Sequence, residues 1–165
     1  MSQSLVRIFV YGTLKRGFPN HHLIETPPSG KVTYIGCGQT LESYPMVTGT
    51  DADIPFLLPF PGKGSKIKGE VYEVDQDALI HLDDLEEHPT WYKRMACAVM
   101  LDSSQELSCE AYFLINSKPE LMQLTFYKEY TQELAASYCE RKLVSRVSSL
   151  KGQVQLGNDN DYNTI

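Results

Sequence analysis

Residues 5–11 (LVRIFVY) are apolar or aromatic at every position but Arg7, and Gly12 ends the run. That pattern predicts a buried first strand. Residues 12–20 (GTLKRGFPN) hold two glycines and a proline and read as a loop. Residues 31–41 alternate weakly and contain Gly36 and Gly38, which predicts a bent or bulged strand. Residues 53–60 and 66–74 predict two more strands around the turn Pro61-Gly62-Lys63-Gly64. Residues 92–101 and 107–115 pair across the polar turn Asp102-Ser103-Ser104-Gln105. Two stretches predict helix. Residues 75–87 open on Asp75, a good N-cap, and stop before Pro89. Residues 120–147 are rich in helix formers, although their apolar stripe drifts. Residues 151–165 are polar and predict a flexible tail. No repeat divides the chain. The prediction is one domain over residues 1–150, followed by the tail at 151–165. Many strands and few helices give an α+β class, a compact bent sheet or β-barrel.

Composition narrows the range of functions. A length of 165 residues suits a single domain, and 42% hydrophobic content supplies a core. Lys and Arg number 15 against 21 Asp and Glu, for a net charge of -6. Such a chain is poorly suited to nucleic acid, whose phosphates require clustered cations. No apolar run approaches the ~20 residues of a membrane helix, so no membrane partner is expected. Cys37, Cys97, Cys109 and Cys139 form no CxxC pair, which favours free thiols in the cytoplasm. The default oligomeric expectation is a monomer.

Several familiar motifs fail. Gly12 and Gly17 have phosphate-loop spacing, but Phe18 and Pro19 stand where Lys and Ser or Thr are required. There is no GxSxG. The histidines lack the spacing that places two imidazoles on one metal, so no metal is expected.

Two features survive. On a helix over residues 75–87, at ~100° per residue, Leu79, Leu82, Ala78 and Leu85 form one apolar arc. Glu86 falls inside that arc, about 20° from Leu79, with Asp83 at its edge. A carboxylate there is costly unless it is paired or used, and partial desolvation suits it to acid–base chemistry. The competing reading has Glu86 leaning into water or pairing with Lys93 or Arg94. The second feature is Tyr11-Gly12-Thr13-Leu14, just past the first strand. Successive N–H groups at such a turn can form an anion-binding nest, although an ordinary glycine turn has the same sequence.

Together these segments resemble the γ-glutamyl cyclotransferase superfamily, most closely its γ-glutamylamine cyclotransferases and their AIG2-like relatives. The resemblance rests on FVYGTLKRG (residues 9–17), LESYP (41–45), IPFLL (54–58), GEVYEVD (69–75) and LDDLE (82–86), with Tyr92-Lys93-Arg94 behind. It implies a barrel-like α+β fold with one cavity. It implies that Tyr11, Gly12, Thr13 and Leu14 hold a glutamyl group and that Glu86 is the catalytic acid/base. It further implies a small γ-glutamyl substrate, γ-glutamyl-ε-lysine in the amine-specific branch, converted to 5-oxoproline and a free amine without any cofactor.

The chemistry fits such residues. An α-amine with a free pKa of ~8 is largely protonated at neutral pH and must lose that proton before it attacks. A nearby carboxylate can take the proton and return it to the departing amine. Tyr92 and Tyr112 are candidates to line the cavity, and Lys15 and Arg16 to attract carboxylates. Residues 118–165 depart from the usual Gly-rich C-terminal pattern of the amine-specific branch. Two alternatives therefore stay open: the same chemistry on another γ-glutamyl amide or amino acid, and a non-catalytic AIG2-like binding module.

Overall fold

The computed structural model describes residues 4–49, 54–136 and 154–156. Five strands close into a barrel in the order β1-β5-β2-β6-β7. They are β1 (Val6–Val10), β2 (Val32–Tyr44), β5 (Ser65–Val74), β6 (Tyr92–Leu101) and β7 (Glu106–Leu114). All neighbours are antiparallel except β1 and β7, which close the barrel in parallel through Ile8 and Glu110. A small hairpin, β3 (Met46–Thr48) with β4 (Pro55–Leu57), stands apart from the barrel sheet. The expected α+β barrel with few helices is the observed fold.

Period-two alternation sorts the side chains into two cores. Phe9, Val71, Val99 and Phe113 belong to one, which draws on every barrel strand and fills the interior. Ile8, Val10, Tyr72, Val74, Tyr112 and Leu114 belong to the other, on the outer face. Helix α2 (Gln76–Leu85) covers that outer face with Ala78, Leu79 and Leu82. Because both faces are buried, β1 reads as an almost unbroken apolar run. β2 shifts register between Tyr34 and Gly36, as its glycines predicted, and again between Gln39 and Ser43. A Cβ on Gly38 would lie 2.4 Å from the Met100 carbonyl oxygen, so only glycine lets β2 approach β6 this closely.

Asp75 caps α2 as expected. Its carboxylate accepts from the Ala78 N–H at 3.0 Å and from the Lys31 N–H at 2.8 Å. At the other end, the His88 N–H donates to the Asp83 carbonyl and the Glu87 N–H to the Asp84 carbonyl. That is a Schellman closure, with Glu87 in the left-handed region at φ 52°. Glu86 is the C-cap itself.

One expected helix is absent from the described residues. Residues 119–136 contain a 3-10 turn (Pro119–Gln123) and α3 (Gln132–Ala135), with irregular chain between them. The reason is competition for backbone groups. The Lys128 carbonyl accepts from the Lys68 N–H at 2.8 Å, and the Tyr127 N–H donates to the Met46 carbonyl at 2.9 Å. Tyr130 is fully buried, an anchor that the drifting stripe did not reveal. Within the stretch expected as a tail, residues 154–156 are docked. Val154 is fully buried beside Leu121, and the Gln155 amide donates to the carbonyls of Ile115 and Thr90. Asp53, Cys139, the remainder of the expected helix to Val147, and residues 151–153 and 157–165 lie outside the described residues. Two elements had no clear sequence signal: the three-residue strand β3 and the short helix α1 (His22–Glu25).

Candidate active site

A cleft opens where the loop after β1, the end of α2, β4 and the outer face of β6 and β7 meet. Its space between protein atoms is about 400 Å³, open mouth included. Tyr11, Gly12, Thr13, Leu14, Glu86, Tyr92 and Tyr112 all border it. The seven residues named from the sequence are thus brought together, although they come from four separate stretches of chain.

The loop is shaped from behind. The Gly12 carbonyl accepts from the Lys15 N–H at 3.1 Å, and the Thr13 carbonyl from the Asn20 N–H at 2.9 Å. The Leu14 carbonyl accepts from His21 Nδ1 at 2.9 Å, and the Asn20 amide donates to Thr13 Oγ1 at 3.0 Å. In a trans peptide the C=O and N–H point to opposite sides. Pinning the carbonyls of Gly12 and Thr13 therefore turns the N–H groups of Thr13 and Leu14 the other way. Among the described residues neither N–H donates to any protein group. Gly12 is required by contact: a Cβ there would lie 2.5 Å from Pro55 Cγ.

Glu86 is half-buried and borders the same cleft as this loop. Its backbone is fixed by its N–H, which donates to the Leu82 carbonyl at 2.9 Å, and by its carbonyl, which accepts from the Tyr92 N–H at 3.3 Å. The three tyrosines donate within the protein: Tyr11 to the Tyr112 carbonyl at 2.6 Å, Tyr92 to the Pro55 carbonyl at 3.3 Å, and Tyr112 to Asp83 Oδ1 at 2.7 Å. Burial, then the hydrogen bond to Asp83, then the nearby Asp83 and Glu86 charges push the Tyr112 phenol well above its ordinary pKa. Tyr112 therefore stays protonated at physiological pH.

Sequence reasoning missed the network behind Tyr112. Arg94 stands directly opposite Tyr112 in the β6–β7 register and pairs with the Asp83 carboxylate. Its Nε also donates to Glu110 at 3.0 Å. Burial opposes the charge on Arg94, but the Asp83 and Glu110 carboxylates prevail and raise its pKa. The available signal was the strand register, which puts Arg94, Tyr112 and Glu110 on one face under α2. Lys15 and Arg16 do not border the cleft. Lys15 Nζ donates to the Tyr130 carbonyl at 2.6 Å and lies over the Phe18 ring, and the Arg16 guanidinium stacks 3.5 Å from the Tyr34 ring centroid.

A small closed barrel thus sets an amide loop and a half-buried carboxylate at a helix end on one cleft. The family model for "Gamma-glutamyl cyclotransferase, AIG2-like" matches residues 8–132. A γ-glutamylaminecyclotransferase from Mus musculus is 39% identical over 136 residues, covering 78% of this chain and 91% of its own length. The human γ-glutamylaminecyclotransferase is 37% identical, covering 76% and 90% respectively. The crystal structure of an AIG2-like protein from Mus musculus superposes with a TM-score of 0.74 at 39% identity, covering 78% of this chain and 90% of that one. The chain belongs to the AIG2-like γ-glutamyl cyclotransferase family and is an enzyme of that type.

Proposed function

We propose that this cyclotransferase acts on a γ-glutamylamine, with γ-glutamyl-ε-lysine as the leading substrate, and that Glu86 is its general acid and base. The substrate's α-amine attacks its own γ-carbonyl and forms the new C–N bond of a five-membered ring. Glu86 accepts the proton that the amine gives up. The tetrahedral intermediate then breaks its bond to the side amine. Glu86 returns the proton to that leaving nitrogen, and 5-oxoproline and the free amine depart. Holding the substrate in its cyclising conformer contributes several kcal/mol, on the order expected for oriented intramolecular attack. The N–H groups of Thr13 and Leu14 take an anionic oxygen of the substrate. The substrate class is supported by relatives whose names specify γ-glutamylamines. We read the enzyme as a monomer and as cytoplasmic, the latter in keeping with its lack of a CxxC pair.

One observation carries this reading: Glu86 borders the same cleft as two amide N–H groups that have no other partner among the described residues. The test is Glu86→Gln, assayed for 5-oxoproline and lysine released from γ-glutamyl-ε-lysine. The variant is expected to stay folded and to lose at least ~100-fold in kcat. Near-wild-type turnover overturns the role of Glu86. If the wild type turns over other γ-glutamyl compounds but not this one, the substrate moves to another γ-glutamyl amide.

A further inference from the structure

The carboxylate network beside the cleft has a function that the mechanism above leaves unassigned. Asp83, in the last turn of α2, and Glu86, its C-cap, are three residues apart, so they lie on one side of that helix end. Like charges at that spacing repel each other. Charged and titratable groups come from every element around them. Helix α2 and its end supply Asp83, Glu86 and Glu87, with Asp84 turned to solvent. β6 supplies Tyr92 and Arg94, and β7 supplies Glu110 and Tyr112. Tyr11 comes from the loop after β1. His88 Nδ1 accepts from the Arg94 N–H at 3.0 Å and so carries no proton at that nitrogen. The Arg94 guanidinium sits among the carboxylates of Asp83 and Glu110, and the Tyr112 hydroxyl, which borders the cleft, donates to Asp83.

We propose that Asp83 and Arg94 are positioning residues for Glu86. Their ion pair cancels a negative charge one helical turn from Glu86 and holds the Tyr112 hydroxyl on Asp83. Glu86 is thereby left to titrate as a base rather than being held protonated by a second carboxylate. The inference rests on the proposed role of Glu86.

A purely structural pair would not move the Glu86 titration in opposite directions. Arg94→Met leaves Asp83 charged and unneutralised, so the Glu86 carboxyl should titrate about one pH unit higher. Asp83→Asn leaves Arg94 with one fewer carboxylate, so Glu86 should titrate lower, by roughly half a unit. The double variant removes both charges and should return Glu86 to within about 0.3 units of wild type. Arg94→Lys keeps the charge and should do the same.

The experiment is a carbon-13 NMR titration of the Glu86 carboxyl in glutamate-labelled full-length protein, with the resonance assigned by its loss in Glu86→Gln. The kcat–pH profile for 5-oxoproline release is measured on the same variants, and its acid limb should follow the NMR shifts. A Glu86 titration that moves by less than about 0.2 units in both single variants overturns the proposal. So does a double variant that fails to return toward wild type. If Arg94→Met does not fold, the downward shift in Asp83→Asn decides. The reading beneath is tested separately. Full activity in Glu86→Gln removes Glu86 as the base whatever the titrations show, whereas inactive Glu86→Gln with unmoved titrations removes only the role of the ion pair.

Discussion

Substituting Gly12 by alanine probes the loop without touching any titrating group. The added Cβ would lie 2.5 Å from Pro55 Cγ. Carbon atoms pack at about 3.5–4.0 Å, so loop and proline must separate by about 1 Å. Overpacking of this kind costs about 1–3 kcal/mol of stability. The loop amides of Thr13 and Leu14 move with Gly12, and a displacement of about 1 Å at a positioned group costs roughly 100-fold in rate. Gly12→Ala is therefore expected to lower kcat/KM for γ-glutamyl-ε-lysine by roughly two orders of magnitude while the protein remains folded. Urea denaturation measures the stability change, and 5-oxoproline release measures the rate. A second substitution sharpens the test. Pro55→Ala removes Cγ, and the next atom, Pro55 Cβ, lies 3.4 Å from the new methyl, close to ordinary contact. The double variant should recover at least tenfold of the lost activity, on the order of a partly restored geometry. A fully active Gly12→Ala, or a double variant no better than the single, would refute the argument that this contact sets the loop.

The other predictions concern burial. Val154→Asp should destabilise the protein by about 3 kcal/mol or more, read as a fall in Tm, because it places a charge where a fully buried valine packs beside Leu121. A silent substitution would mean that residues 154–156 contribute nothing to the fold. A thiol reagent should label exposed Cys37 in the native protein and reach buried Cys97 and Cys109 only in urea, as peptide mapping by mass spectrometry would show. Burial pushes Cys97 up to about 12 and Cys109 up to about 11. Unfolded thiols ionise near ~8.5, so the unfolded state loses protons first and stability should fall as pH rises from about 9 towards 11. A urea midpoint unchanged between pH 8 and pH 10.5 would contradict that linkage.

What the sequence made legible follows from where the interactions are local. The strand at residues 5–11 was visible because both its faces are buried. Helix α2 was visible because Asp75 caps it locally and Leu79 and Leu82 repeat at helical spacing. The same wheel singled out Glu86, and the glycine turn singled out Tyr11 to Leu14. The segment at 120–136 was misread because its backbone groups bond to β5 and to Met46, partners far away in sequence. Arg94 was considered as a partner for Glu86, whereas the structure gives it Asp83 and Glu110. It is the β6–β7 register, and not the helical spacing to Glu86, that sets Arg94 against Tyr112.

The hydroxyl of Tyr11 reaches the carbonyl of Tyr112, 101 residues further along the chain. The site loop is thus tied to the last strand of the barrel, and the β1–β7 seam is the contact that brings those two regions together. Chains dominated by such distant pairings fold slowly, on the order of milliseconds to seconds. An intermediate that had built β5, β2 and β6 but had not closed the seam would hold Glu86 on its helix with no amide loop facing it. Regain of catalysis during refolding would then report seam closure itself, appearing with the slowest kinetic phase and not with the earlier return of secondary structure.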